Sequence, residues 1–311
     1  MRAVRKSGTR VSVVDAPAPE GEGVLVRVAS AGICGSDLHL VDLDLPVGGI
    51  LGHEFAGFTP DGQAVAVEPL APCGHCPRCL AGDYNLCARG MDMALGIGRD
   101  GGMTEQVRVP ERSIVPLPGG VEAKDACLVE PLAVCTHGLR IAGLRGDQRV
   151  AIIGAGTIGL CAAAAVASSG AAFCVMARHD HQREAAARLG ASELDGEFDL
   201  VIDAAGTKEA LAQGVVLARP GGTLLLLGSY WDGFELPGML LSIKEVRVIP
   251  SIMYGRAGAT RDFDVAAALL ASRPQIPDTL VTHRFPLDAA EEAFATAGDR
   301  KAGAIKVVLE P

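Results

Sequence analysis

Aromatic side chains are scarce in this 311-residue chain: one Trp, three Tyr and eight Phe, 4% of the total. Ala, Val, Leu and Ile must therefore supply the packing, and with 49% hydrophobic residues they suffice for a sizeable core, which excludes a disordered chain. Positive charge is also short. Lys and Arg number 28 against 37 Asp and Glu, a formal charge of −9. That balance argues against a nucleic-acid protein relying on a broad basic surface. There is no apolar leader either: Met1 to Ser12 is charged and lacks the h-region of a secretory signal. The nine cysteines are an odd number, so metal-bound or free thiols in a reducing cytoplasmic compartment are expected rather than a disulfide framework. No internal repeat or low-complexity linker is visible, and the length suggests two domains.

Charge is missing altogether between Val150 and Ala177, long enough to raise a membrane span. Gly154, Gly156, Gly159 and Gly170 interrupt the stretch. It reads instead as a strand (Arg149 to Ile153), a glycine turn, a buried helix (Thr157 to Ser169) and a second strand (Ala172 to Ala177). The chain before residue 130 holds short β-like runs such as 24–28 and 64–67, punctuated by Gly and Pro. From about 140 to 275, strands (150–153, 200–203, 223–227) alternate with helical patterns (182–189, 209–218), as in a parallel, doubly wound sheet. A helical segment (288–297) and a strand (304–309) close the chain. The economical division is a split first domain, 1–137 with 276–311, around a dinucleotide-binding domain, 138–275.

Cys73, Cys76, Cys79 and Cys87 form C-x2-C-x2-C-x7-C. Such spacing lets four thiolates converge on one soft cation in a closed tetrahedron, a structural site tying a lobe at about 70–90. Zinc is the expected ion and an iron–sulfur cluster the rival; His75 is not needed as a ligand. Gly154-Ala155-Gly156-Thr157-Ile158-Gly159 follows a strand and opens a helix, the fingerprint of a pyrophosphate-binding turn with the helix N-terminus facing the phosphates. The following strand lacks the terminal acidic residue that binds a ribose 2′-hydroxyl. It ends Ala177-Arg178-His179. A guanidinium there suits a 2′-phosphate, so NADP is expected over NAD, with Arg183 assisting and Asp180 a displaced ribose ligand in the rival reading. Cys34, His53 and Glu130 carry metal-ligand chemistry but, taken singly, also read as a buried thiol, a turn histidine and a helix-start carboxylate.

These stretches together resemble the zinc-dependent medium-chain alcohol dehydrogenases, polyol and sorbitol dehydrogenase branch. The resemblance rests on Cys34-Gly35-Ser36-Asp37-Leu38-His39, Gly52-His53-Glu54, the four-cysteine knuckle, Glu130-Pro131-Leu132, the glycine turn and Ile305-Lys306-Val307-Val308. It implies an α/β protein with a GroES-like β-rich catalytic domain and a Rossmann domain, two Zn²⁺ per chain and a nicotinamide cofactor. It implies a catalytic zinc on Cys34 and His53, with Glu130 as third ligand directly or through water and Glu54 able to approach the metal. Asp37 would orient the zinc histidine, Ser36 and His39 would relay the proton, and Lys306 would lie near the pyrophosphate. The expected reaction is hydride transfer between a small secondary alcohol (polyol, sugar or cyclitol) and NADP. The expected assembly is a homodimer or homotetramer, with no nucleic-acid or membrane partner. A catalytically silent NADP-binding protein and a zinc-free quinone or enone reductase are the competing readings. The segments 57–62 and 42–49 are leaner than in most relatives, which leaves the substrate poorly constrained; Tyr230 and Trp231, after Gly228-Ser229, could reach a cleft or a subunit interface.

Overall fold

The computed structural model describes every residue except Asp232 and Arg300. Its chain divides into two compact units, Met1–Glu130 with Gly255–Pro311, and Pro131–Tyr254. Both seams lie earlier in the chain than the 137/138 and 275/276 boundaries drawn from sequence. The helix after Tyr254, though apolar like its predecessors, groups with the first unit.

The first unit opens with an antiparallel hairpin, β1 (Arg2–Ser7) and β2 (Arg10–Asp15). β3 (Val24–Gly32), α1 (Gly35–Asp42), β4 (Glu54–Phe58) and β5 (Ala64–Val67) follow. A lobe of short helices, α2 (Pro77–Ala81) and α3 (Gly90–Met93), precedes β6 (Gln106–Val109) and β7 (Ile114–Pro116). α4 (Val129–Ile141) then leads into the second unit.

That unit alternates as its pattern foretells: β8 (Arg149–Ile153), α5 (Thr157–Ser169), β9 (Ala172–Met176), α6 (Asp180–Arg188), β10 (Phe198–Asp203), α7 (Lys208–Leu217), β11 (Ala218–Leu226), α8 (Gly238–Ile243) and β12 (Arg247–Pro250). The chain returns to the first unit through a small hairpin, β13 (Arg256–Ala257) and β14 (Thr260–Arg261), then α9 (Asp262–Ser272), α10 (Gln275–Leu280), β15 (Val281–Pro286), α11 (Ala290–Gly298) and β16 (Lys306–Glu310).

The first unit's main sheet runs β15-β16-β3-β4-β5-β7, with β6 also paired to β3. Its core is largely aliphatic, packed around Phe55 and Phe294: Val26, Val28, Leu51, Val65, Val67 and Val107 are all buried. The second unit's five strands are all parallel, in the order β12-β11-β10-β8-β9. The order reverses between β8 and β10, and ligands of such sheets sit at the carboxyl ends of the strands flanking that switch. The charge-free stretch is explained here: Leu160, Cys161, Ala162, Ala163, Ala164 and Val166 on α5 are fully buried. No helix among the described residues is long and apolar enough to cross a membrane.

Candidate functional site

Cys34 and His53 are brought together by elements of the first unit. Cys34 stands at the end of β3's exit, as the N-cap of α1, and its backbone N–H donates to Asp37 Oδ2 at 2.9 Å. The other oxygen of Asp37, a fully buried carboxylate, faces His53 Nδ1 at 3.3 Å. One carboxylate thus fixes both the loop carrying the thiol and the face of the imidazole, leaving His53 Nε2 as the nitrogen available to a cation. Burial works against an imidazolium at His53, but Asp37 and then Cys34 outweigh it and hold its pKa well above the ordinary 6.5. Ser36 Oγ lies 3.3 Å from His53 Nε2, on the same side. His39, exposed on α1, bonds through Nδ1 to the Gly35 carbonyl at 2.7 Å. In the neutral ring that makes Nδ1 the donor and Nε2 the basic nitrogen.

The donor atoms of Cys34, His53 and Glu54 lie within 4.8 Å of one another. Thiolate, imidazole and carboxylate are the donors Zn²⁺ accepts, and three of them leave one position open, so the residues fit a catalytic zinc. Glu54, next to His53 at the start of β4 and expected from sequence to approach the metal, is the carboxylate that converges with the thiol and imidazole, while Glu130, on α4, is not among these three. Glu130 is nonetheless a near neighbour. Burial pushes its carboxyl up to about 8, with His53 and Lys306 pulling down and Glu54 pushing further up.

Lys306 is not an exposed strand lysine. It is 1% exposed, and its ammonium donates to the Ile33 carbonyl at 3.0 Å and to Glu54 Oε2 at 2.5 Å. Burial opposes its charge, but Glu54 and then Cys34 more than offset that, so it stays protonated. The one sequence signal of this pair is a lysine inside an apolar strand, since a buried ammonium demands a counter-charge. Space for the Glu54 carboxylate comes from Gly32: a Cβ there would stand 2.3 Å from Oε2. Gly32→Ala must therefore displace the carboxylate. It is expected to lower turnover about tenfold or more with the fold retained, measured by steady-state rate beside a thermal melt.

The four remaining predicted ligands form a separate cluster. Sγ–Sγ separations are 3.9 Å (Cys73–Cys79), 3.5 Å (Cys76–Cys79), 3.9 Å (Cys76–Cys87) and 3.6 Å (Cys73–Cys87). A ZnS₄ tetrahedron with 2.3 Å bonds has edges of about 3.8 Å, so the thiols fit that ion without rearrangement. Backbone N–H groups of His75 and Cys76 bring Cys73 down to about 6, while burial pushes Cys79 up to about 12. A metal ion entering the cluster must displace the Cys79 proton. The lobe is also tied from outside the cluster: the Tyr84 hydroxyl donates to Glu68 Oε1 at 2.6 Å, and Glu68 pairs with Arg261 at 3.3 Å.

In the second unit, Gly154 takes φ +98°, a conformation few side chains adopt, at the end of β8. Gly159 admits close approach, since a Cβ would meet the Gly154 carbonyl at 1.9 Å. Gly156 caps α5, whose first turn starts with Thr157 and Ile158, and it has no side chain to bond the first-turn N–H groups. The positive end of the α5 dipole there favours an anion. Arg178 is exposed just beyond β9 and close enough to Glu209, at the start of α7, to lower that carboxylate's pKa, though local hydrogen bonds act more strongly. Arg183 is engaged within the turn after β9. Its guanidinium donates to the Ala177 and Arg178 carbonyls, at 3.1 and 3.2 Å, and pairs with Asp180. It closes the turn and occupies Asp180, the rival ribose ligand. Asp203 and Tyr230 form a further contact, a hydroxyl-to-carboxylate bond of 2.7 Å that sequence did not indicate.

Residues 20–119 match the alcohol dehydrogenase GroES-like domain, and residues 123–310 match the glucose dehydrogenase C-terminus. The chain is 31% identical to the L-galactonate-5-dehydrogenase of Escherichia coli K12, over 89% of this chain and 88% of that one. It is 31% identical to the galactitol 1-phosphate 5-dehydrogenase of the same strain, over 97% of both. Among solved structures, a zinc-binding dehydrogenase from Sinorhizobium meliloti 1021 bound to NADP superimposes with a TM-score of 0.90 at 30% identity, covering 100% of this chain and 99% of that one. The chain accordingly belongs to the zinc-dependent medium-chain alcohol dehydrogenases, in the branch of the polyol dehydrogenases.

Proposed function

We propose that this zinc-dependent alcohol oxidoreductase oxidises a secondary hydroxyl of a polyol, sugar or cyclitol with NADP, using a catalytic zinc on Cys34, His53 and Glu54 and a structural zinc on Cys73, Cys76, Cys79 and Cys87. The observation that carries the reading is the buried Cys34/His53/Glu54 triad braced by Asp37. An intact ligand set with its bracing carboxylate is what a silent binding protein or a zinc-free reductase has no need to keep. A zinc ion at the triad supplies Lewis acidity, bringing the pKa of an alcohol toward neutrality and polarising the carbonyl in reverse.

The protein's own groups do the rest. Asp37 holds the imidazole in one orientation. Ser36 can accept the substrate's hydroxyl proton while donating its own, and His39 exchanges a proton with bulk water from its exposed position. Lys306 balances the charge of Glu54, so the pocket holds a thiolate and a carboxylate without a net excess of two anions. Glu130, buried and within electrostatic reach of His53, Glu54 and Lys306, is a further carboxyl group beside the triad. NADP, the hydride acceptor, would seat its pyrophosphate on Gly154, Gly156, Thr157, Ile158 and Gly159. Arg178 is the 2′-phosphate ligand.

The relatives act on sugar-acid and polyol-phosphate substrates, as their names state, which supports a small polyhydroxylated substrate. The assembly is proposed to be a homo-oligomer in the cytoplasm. β12 is an edge strand of its sheet, and Met239, Ile243 and Ile252 nearby in sequence are 76%, 71% and 65% exposed.

The test is a panel of simple alcohols, polyols, sugars and cyclitols with both dinucleotides. Reduction of NADP by polyhydroxylated secondary alcohols is the expected result. No turnover with any member would return the silent-protein reading.

A further inference from the structure

Asp203 is the last residue of β10, fully buried, and every acceptor it has is in use. Its Oδ1 takes the backbone N–H groups of Ala205 and Gly206, at 2.8 and 3.1 Å. Its Oδ2 takes the Tyr230 hydroxyl at 2.7 Å. Its backbone carbonyl takes Leu227 and Gly228, at 2.8 and 2.9 Å. One residue therefore joins the turn after β10 to the turn after β11.

That joint leans directly on the glycine turn. Ala204 N–H donates to the Ile153 carbonyl at 2.9 Å. A Cβ on Gly154 would meet Ala205 at 3.0 Å, and one on Gly228 would meet Gly206 at 2.5 Å. The three turns are stacked without slack at the carboxyl edge of the sheet, flanking the point where strand order reverses. Tyr230 is the outer pin of the stack. Half-buried, its ring packs on Phe234 with centroids 5.0 Å apart, and no other side chain donates to Asp203 among the described residues.

We propose that Asp203 and Tyr230 are positioning residues for the dinucleotide: the Tyr230–Asp203 bond holds the turns after β10 and β11 against the pyrophosphate turn and gives a buried carboxylate oxygen its donor. The inference rests on the dinucleotide reading above but not on the choice between NADP and NAD. Without the hydroxyl, Asp203 Oδ2 is a buried anionic oxygen lacking a donor, and such a group either draws in water or pulls its loop apart. Either response loosens the surface on which the pyrophosphate must land. Asp203→Asn should behave differently from Tyr230→Phe. The amide oxygen still accepts from Ala205 and Gly206, and the amide N–H can donate to the Tyr230 oxygen.

The experiment is fluorescence titration of the zinc-loaded protein with NADPH and with NADH, for the parent, Tyr230→Phe, Asp203→Asn and Asp203→Ala, with steady-state KM values and a thermal melt for each. Tyr230→Phe is expected to weaken the preferred dinucleotide about tenfold, and Asp203→Ala by more. Asp203→Asn should stay within about threefold of the parent. KM for the dinucleotide should rise while KM for the alcohol moves far less. Lowered melting temperatures with unchanged dinucleotide affinity would assign the pair to folding alone and overturn the proposal. So would a parent that binds neither dinucleotide. A parent preferring NADH refutes only the NADP reading, because the variant-to-parent ratio is then read with NADH.

Discussion

Cys34→Ala should abolish turnover, by about three orders of magnitude or more, while the protein still folds. The fold survives because the start of α1 keeps a bond that does not need the thiol. Asp37 accepts the backbone N–H of residue 34, and alanine keeps that donor. The Asp37–His53 contact is likewise untouched. What disappears is the softest donor of the triad, and with it the tight hold on the cation. Lewis-acid stabilisation of a developing oxyanion is worth several kcal/mol, and every 1.36 kcal/mol is a factor of ten in rate, hence the size of the expected loss. Steady-state turnover with saturating polyol and dinucleotide, beside a near-parental melting curve, measures it. A rate within tenfold of the parent would remove the thiolate from the chemistry.

Arg178→Asp should reverse the dinucleotide preference, lowering the ratio of kcat/KM for NADP over NAD by about a hundredfold or more. Two effects act in the same direction. The charge-assisted bonds of a guanidinium to a 2′-phosphate contribute about 1.5–3 kcal/mol, and a carboxylate at the strand end instead repels that phosphate. The same carboxylate can accept from a ribose 2′-hydroxyl, the contact that NAD enzymes use. The local geometry favours a clean result. Arg183, on the helix that follows, is committed to the Ala177 and Arg178 carbonyls and to Asp180, so it is poorly placed to take over. An unchanged ratio would make Arg178 a solvated strand end.

Local signals carried far in this chain. Thiol spacing between Cys73 and Cys87 implies convergence because so short a segment has few ways to separate four side chains, and the sulfurs meet at 3.5–3.9 Å. The uncharged stretch after Val150 resolved into strand, turn and helix because glycines clustered at 154, 156 and 159 mark a tight turn between a strand and a helix, and α5 is buried as its composition demands. What stayed hidden is what depends on distant residues meeting. Lys306 and Glu54 are far apart in sequence, and their pairing follows from the register of β16 against β3 and of β3 against β4. The choice of Glu54 over Glu130 in the triad has the same origin: it turns on where α4 starts relative to β4, which no local pattern records. Tyr230 belongs in this class too. Its sequence context offered a cleft or an interface and gave no sign that its hydroxyl bonds the carboxylate at the end of β10.

Zinc content tests the whole account most directly, because the catalytic triad and the thiol cluster each imply one ion. Elemental analysis of the purified protein, normalised to chain concentration, should return two zinc per chain for the parent and one for Cys34→Ala. One ion in both proteins would leave only the structural site standing, and none would contradict the metal chemistry altogether.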